Sequence, residues 1–204
     1  MYEGSTLTAD TARVPAKAVK GTVPGEAGIW LFIFADLVMF AIFFMAYFKD
    51  KALNAEAFAA ARNGLTIDVA LINTLVLLTS SLLVVMGVNA IRQQQFGPAR
   101  LALRLAMLCG AAFICLKLYE YGHMIGEGKG AAAGIYYNYF YIFTGLHFAH
   151  VLGGLVILQI MVAKIKPARP LSEREFHRVE AGACYWHLVD LLWMVIFPLL
   201  YMVA

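Results

Sequence analysis

Residues 30–48 read WLFIFADLVMFAIFFMAYF, nineteen positions with a single charged side chain, Asp36. About 20 apolar residues at ~1.5 Å rise each are enough to cross the hydrocarbon core of a bilayer as a helix. The alternative spanning structure, a closed barrel, needs strands that alternate apolar and polar residues. This stretch does not alternate. Inside lipid only helices and closed barrels satisfy the backbone, so the segment is a transmembrane helix.

The same reading extends along the chain. With the first span placed at 28–48, further apolar runs at 67–91, 100–125, 135–163 and 177–203 are each long enough to cross. Of the 204 residues, 62% are apolar and 14% charged, against roughly half and a quarter in a soluble domain. The fold class is therefore all-α: a polytopic membrane bundle of five transmembrane helices, forming one domain over 27–204. Residues 1–26 are polar, carry Arg13, Lys17 and Lys20, and lack an apolar h-region. They read as a tail rather than a cleaved signal.

Lys and Arg placement predicts orientation. Eleven fall on the side of the tail: three in it, Arg92, Arg100 and Arg104 after span two, and five between Lys164 and Arg178. Five fall on the other side: Lys49, Lys51, Arg62, Lys129 and Lys117, the last inside span three but leaning outward. The tail is expected in the cytoplasm and the C-terminus outside. The net charge of +3 comes mainly from these anchors and gives no nucleic-acid surface.

Between the spans, 50–64 predicts a brief amphipathic helix. The glycine-rich 126–134 lacks the strand–helix context of a phosphate loop and reads as a linker. Ser172 and Glu175 match a capping box that starts span five early. Pro198 predicts a bend near its end. Cys109, Cys115 and Cys184 form no CxxC pair and are expected as small buried thiols. Trp30, Tyr47, Tyr136, Tyr137 and Tyr201, at the span ends, are expected as interface anchors.

Polar residues inside the spans are the candidates for function, because charges in hydrocarbon are costly. Asp36, Thr79–Ser81, His147, His150, His187 and Asp190 gather near mid-membrane, with Glu120 and His123 nearer the outer end and Glu180 nearer the inner. His147/His150, His187/Asp190 and Glu120/His123 are i,i+3 pairs, each on one helix face. Asp190 has His187 one turn away; Asp36 needs a hydroxyl, a water or a proton. Interhelical hydrogen bonding, about 0.6–2 kcal/mol per pair, accounts for most of the set. A metal at His147, His150 and His187 would make the chain a self-contained membrane metalloenzyme. Use of the buried acids for conduction would make it a proton-conducting transporter, although no inverted repeat or broken helix pair is visible.

Five segments in order resemble subunit III of the haem-copper oxidases: EAGIWLFIFADLVMFAIFFMAYF (26–48), LINTLVLLTSS (71–81), CLKLYEYGHM (115–124), TGLHFAHVLGGL (144–155) and FHRVEAGACYWHLVDLLWMVIFPLLY (176–201). Two further N-terminal helices of the seven-helix members have no counterpart, so the chain is similar to the short five-helix form. The resemblance implies an accessory subunit of a terminal oxidase with no catalytic residue, no metal and no cofactor of its own. Haem and copper, or iron, are expected in the partner subunit I; bound phospholipid and support of proton uptake belong to this chain. Carried over by position, Asp36, Glu120, His187 and Asp190 become the buried polar, proton-related residues. Asn73, His147, His150, Glu180, Trp186 and Trp193 become candidates for helix packing and for a lipid cleft. Asp36 stands where the family has glutamate. VPGEAGIW and WHLVDLLWMVIFPLLYM also resemble the short proteins encoded with bacterial nitric oxide reductases, so an accessory role there is the alternative. The implied location is a bacterial inner membrane.

Overall fold

A computed structural model describes residues 27–62, 67–165 and 171–202. The polar tail expected at 1–26 lies outside the described residues. Helix α1 spans Ala27–Leu53, α2 Ala55–Arg62, α3 Ile67–Arg92, α4 Phe96–Gly126, α5 Ile135–Lys164 and α6 Glu173–Phe197. All but α2 are long and apolar enough to cross a membrane, and no strand occurs among the described residues. The five expected spans are all present. The amphipathic helix expected at 50–64 is α2, which buries Phe58 against Tyr47 of α1 and Tyr136 of α5.

Helices α3, α4, α5 and α6 form a closed ring of antiparallel neighbours. Cross-links at matching depths set the register. Ser80 of α3 donates to the Ala106 carbonyl of α4 at 2.9 Å. Tyr121 of α4 meets Thr144 of α5 at 2.6 Å. Tyr136 of α5 donates to the Leu200 carbonyl beyond α6 at 2.8 Å. Lipid gives no hydrophobic drive between helices, so close packing must hold them. Trp186 of α6 supplies much of it, lying in a notch between Gly110 of α4 and Gly154 of α5. A Cβ on Gly154 would stand 2.6 Å from the indole.

Helix α1 lies outside this ring, against α5 and α6. Phe44 packs on Phe143, Phe40 on His150 and Phe32 on Tyr185. Its other face is open, with Leu31, Phe34, Ile42 and Met45 exposed.

Local signals explain the ends. The capping box forms: Ser172 Oγ accepts from the Glu175 N–H at 3.3 Å, and Glu175 Oε2 from the Ser172 N–H at 2.9 Å. Gly128, at φ 77°, ends α4 in a left-handed turn that lets the Lys129 N–H reach the Met124 carbonyl. At Pro198 the missing N–H breaks the α ladder, and Pro198–Met202 form one π turn. The π turn falls at the position where the proline predicts a bend.

Two expectations are corrected. Tyr47, Tyr136 and Tyr201 are not interface anchors: each is at most 1% exposed and hydrogen-bonded inside the bundle. In the π turn the Leu199 and Leu200 carbonyls accept from the Tyr47 and Tyr136 hydroxyls. Cys115 is not a buried thiol; it is exposed, with Cys109 and Cys184 intermediate.

Candidate functional site

Four polar groups lie within the span-forming helices. The first was not expected. Lys117 is not an outward-leaning anchor but fully enclosed at 0% exposure. Its Nζ donates to Glu120 Oε2 at 2.6 Å and to the Tyr201 hydroxyl at 2.7 Å. Tyr201 in turn donates to Glu120 Oε1 at 2.7 Å. The ammonium also lies 4.8 to 5.3 Å from the ring centroids of Trp193, Phe140 and Tyr201. A lone buried charge costs several kcal/mol; here the charges cancel and aromatic faces surround the cation. Oppositely charged residues at i,i+3 within one span were the available signal. Tyr201, 84 residues away, had none. His123, the expected i,i+3 companion of Glu120, instead faces out toward Glu127 at 3.6 Å. In the connection beyond α4, Lys129 beside Glu127 holds that carboxyl below its usual range.

The second group joins α1 to α5. Asp36, 6% exposed, places Oδ1 3.0 Å from His150 Nε2. His150 Nδ1 lies 2.8 Å from the Leu146 carbonyl. A carbonyl only accepts, so Nδ1 carries a hydrogen, and the Nε2–Oδ1 contact needs one more proton. That proton resides on the imidazole or on the carboxyl. Either way the pair is neutral overall, which answers how Asp36 is tolerated in a span.

The third group lies between α3 and α6. Ser81 Oγ is 2.7 Å from His187 Nδ1. The expected direct His187–Asp190 contact does not form among the described residues; His187 meets Ser81 of α3 instead. Asp190 Oδ1 has no partner among the described residues. The fourth lies where α3 ends and α6 begins. There Glu180 accepts from Arg92 at 2.8 Å, lies 3.3 Å from His177 Nδ1, and Arg92 covers Phe176.

The remaining candidates lie inside the ring. Trp193 Nε1 donates to Thr74 Oγ1 at 3.0 Å. His147 stacks beside Trp193 and edge-on to Phe113, centroids 5.0 and 5.4 Å apart. Asn73, His147 and Trp186 are at most 1% exposed, and their side-chain nitrogens have no partner among the described residues. His147, His150 and His187 do not converge. One faces α4 and α6, one α1 and one α3, and no group of three metal-ligating side chains forms among the described residues.

Fold and polar groups together define an integral-membrane helical bundle whose interior polar side chains mostly serve one another. The chain belongs to the cytochrome c oxidase subunit III family, whose model matches residues 15–204. It is 30% identical to cytochrome c oxidase subunit 3 of Bacillus sp. (strain PS3), over 100% of this chain and 99% of that one. It is 31% identical to the Bacillus subtilis (strain 168) protein of that name, over 97% and 96%. A Pseudomonas aeruginosa relative, cytochrome bo(3) ubiquinol oxidase subunit 3, is 29% identical over 87% and 84%.

Proposed function

We propose that the chain is the accessory, non-redox subunit III of a respiratory terminal oxidase. It sits beside a haem-bearing subunit I in a bacterial inner membrane, tail inward, holds phospholipid between its helices, and supports proton supply to its partner. Haem and copper belong to that partner. The observation that carries this reading is the family match across all five spans, together with relatives named as oxidase subunits. Those names favour the oxidase over the nitric oxide reductase branch.

The geometry adds a role for one residue pair. Asp36 and His150 hold a single proton between them at no net charge, near the middle of α1 and α5. The proton shifts between imidazole and carboxyl with no change in net charge; passing it on leaves the pair negative until another proton replaces it, so proton supply through this pair couples delivery to uptake.

Copurification from native membranes with a tagged chain tests the assignment. The expected result is a haem-bearing protein that consumes oxygen. Asp36→Asn is nearly isosteric and uncharged, so it should copurify normally while the complex turns over more slowly or inactivates sooner. No haem protein in the eluate would overturn the assignment, and wild-type turnover with Asp36→Asn would overturn the proton role.

A further inference from the structure

Helix α6 is the most enclosed of the five spans, yet one stripe of it stays open beside α3. On α6 the stripe runs through His187, Leu191 and Val195; on α3 it is flanked by Leu78, Ser81 and Val85. Leu191 is 54% exposed, and Leu78, Val85 and Val195 about as open, at 41–42%. Ser81 and His187 are half-buried at its centre. The surface is apolar except where these two meet.

Its polar centre sits where lipid cannot satisfy it. His187 lies midway along the 30 residues Glu173–Met202, about 21 Å from either end at ~1.5 Å per residue. A phospholipid headgroup does not reach that depth, and acyl chains offer no hydrogen bond. Nδ1 is engaged by Ser81, which leaves Nε2, on a half-buried ring, as the nitrogen free to meet a group from outside the described residues. A half-open imidazole at mid-membrane, already bonded to α3 through Nδ1, thus has a second nitrogen that a neighbouring helix can engage.

We propose that the α3–α6 stripe is the face on which a transmembrane helix of the haem-bearing partner docks. That helix presents a hydroxyl, carboxamide or carboxyl group to His187 Nε2. The inference rests on the oxidase-subunit reading and adds the face and the chemistry at its centre. Leu78, Val85, Leu191 and Val195 give the packing surface on both sides of the bond, so one helix lying along the stripe covers apolar and polar groups together. A second copy of this chain and lipid alone are the competing occupants.

The test uses the full chain expressed with its native complex. A photoreactive phenylalanine analogue replaces Leu191 or Leu78 in the stripe, or Leu108 of α4 or Val156 of α5 as more open controls. Crosslinks to the haem-bearing subunit are expected from the stripe and not from the controls. Crosslinks from the controls alone, from all four positions equally, to a second copy, or to lipid only would each overturn the docking face. Retention of the partner is then compared between two variants. His187→Phe keeps a ring but loses both nitrogens and should weaken retention roughly three- to thirtyfold. Ser81→Ala loses the internal bond but leaves Nε2, and should retain more. Equal losses would make His187 a packing residue and overturn the proposed bond. If a haem protein copurifies but the stripe does not crosslink, only this inference falls; if none copurifies, the functional reading falls with it.

Discussion

Replacing Lys117 by Met takes a cation away from a carboxylate that has no other one among the described residues. Lys117 is fully buried and Glu120 3% exposed, so water cannot take over the lost partner. Removing one member of a buried ion pair costs about 3–5 kcal/mol. In a chain of this length each kcal/mol moves the unfolding midpoint by about 2–4 °C, so Lys117→Met should lower it by roughly 6–20 °C. Glu120→Gln alone should cost a similar amount, because it strands the ammonium among three rings. The double variant removes both charges and keeps the Tyr201 hydroxyl bonded to an amide oxygen. It should lie closer to wild type than either single change, since neutral replacement of a whole buried pair is often tolerated. The assay is a double-mutant cycle on thermal unfolding in detergent, followed by tryptophan fluorescence. Single effects that add within ~0.5 kcal/mol would refute the reasoning, because the two groups would then not be paired.

Three further outcomes are expected. Tyr47→Phe and Tyr136→Phe each leave a buried carbonyl of the π turn without its donor, at about 1–3 kcal/mol each; faster hydrogen exchange around 198–202 checks this, and unchanged exchange would show that the turn needs neither hydroxyl. Gly154→Ala pushes a methyl to 2.6 Å from the Trp186 ring and should cost about 1–3 kcal/mol, whereas Gly28→Ala meets nothing within 4 Å and should leave the melting midpoint where it was. A cysteine introduced in 1–26 should react with an impermeant maleimide only from the cytoplasmic side; labelling from outside would reverse the proposed orientation.

The spans were legible because one quantity, a long run of apolar side chains, decides them. The Ser172–Glu175 cap was legible for a related reason, its members being three residues apart. What sequence did not disclose were partners chosen by tertiary packing. Asp36 is 114 residues from His150, and Tyr47 is 152 from the carbonyl it caps. Tyr47, Tyr136 and Tyr201 were misread because an aromatic near a span end suits the interface equally well. Lys117 was misread for a similar reason, since a lysine near the end of a span ordinarily snorkels to the headgroups. The ring of tyrosine, tryptophan, phenylalanine and glutamate around it makes burial possible, and that ring is drawn from α4, α5 and α6 with its π turn.

The separateness of α1 has a consequence for how the chain is made. Of the described spans it leaves the ribosome first, and the groups it packs against, Phe143, His150, Tyr185 and Leu199, are synthesised only later. At about 5–20 residues per second, the 114 residues between Asp36 and His150 take roughly 6–23 s to translate. During that interval α1 must stay in the bilayer on its own hydropathy. Its Asp36 opposes insertion by about 2.5–3.5 kcal/mol, while each Leu, Ile, Phe or Val favours it by about 0.3–0.6. Residues 30–48 hold eleven of these, worth about 3–7 kcal/mol together. The run of phenylalanines that leaves α1 so open in the finished fold is thus what lets it wait in the membrane for the imidazole that will receive its carboxyl.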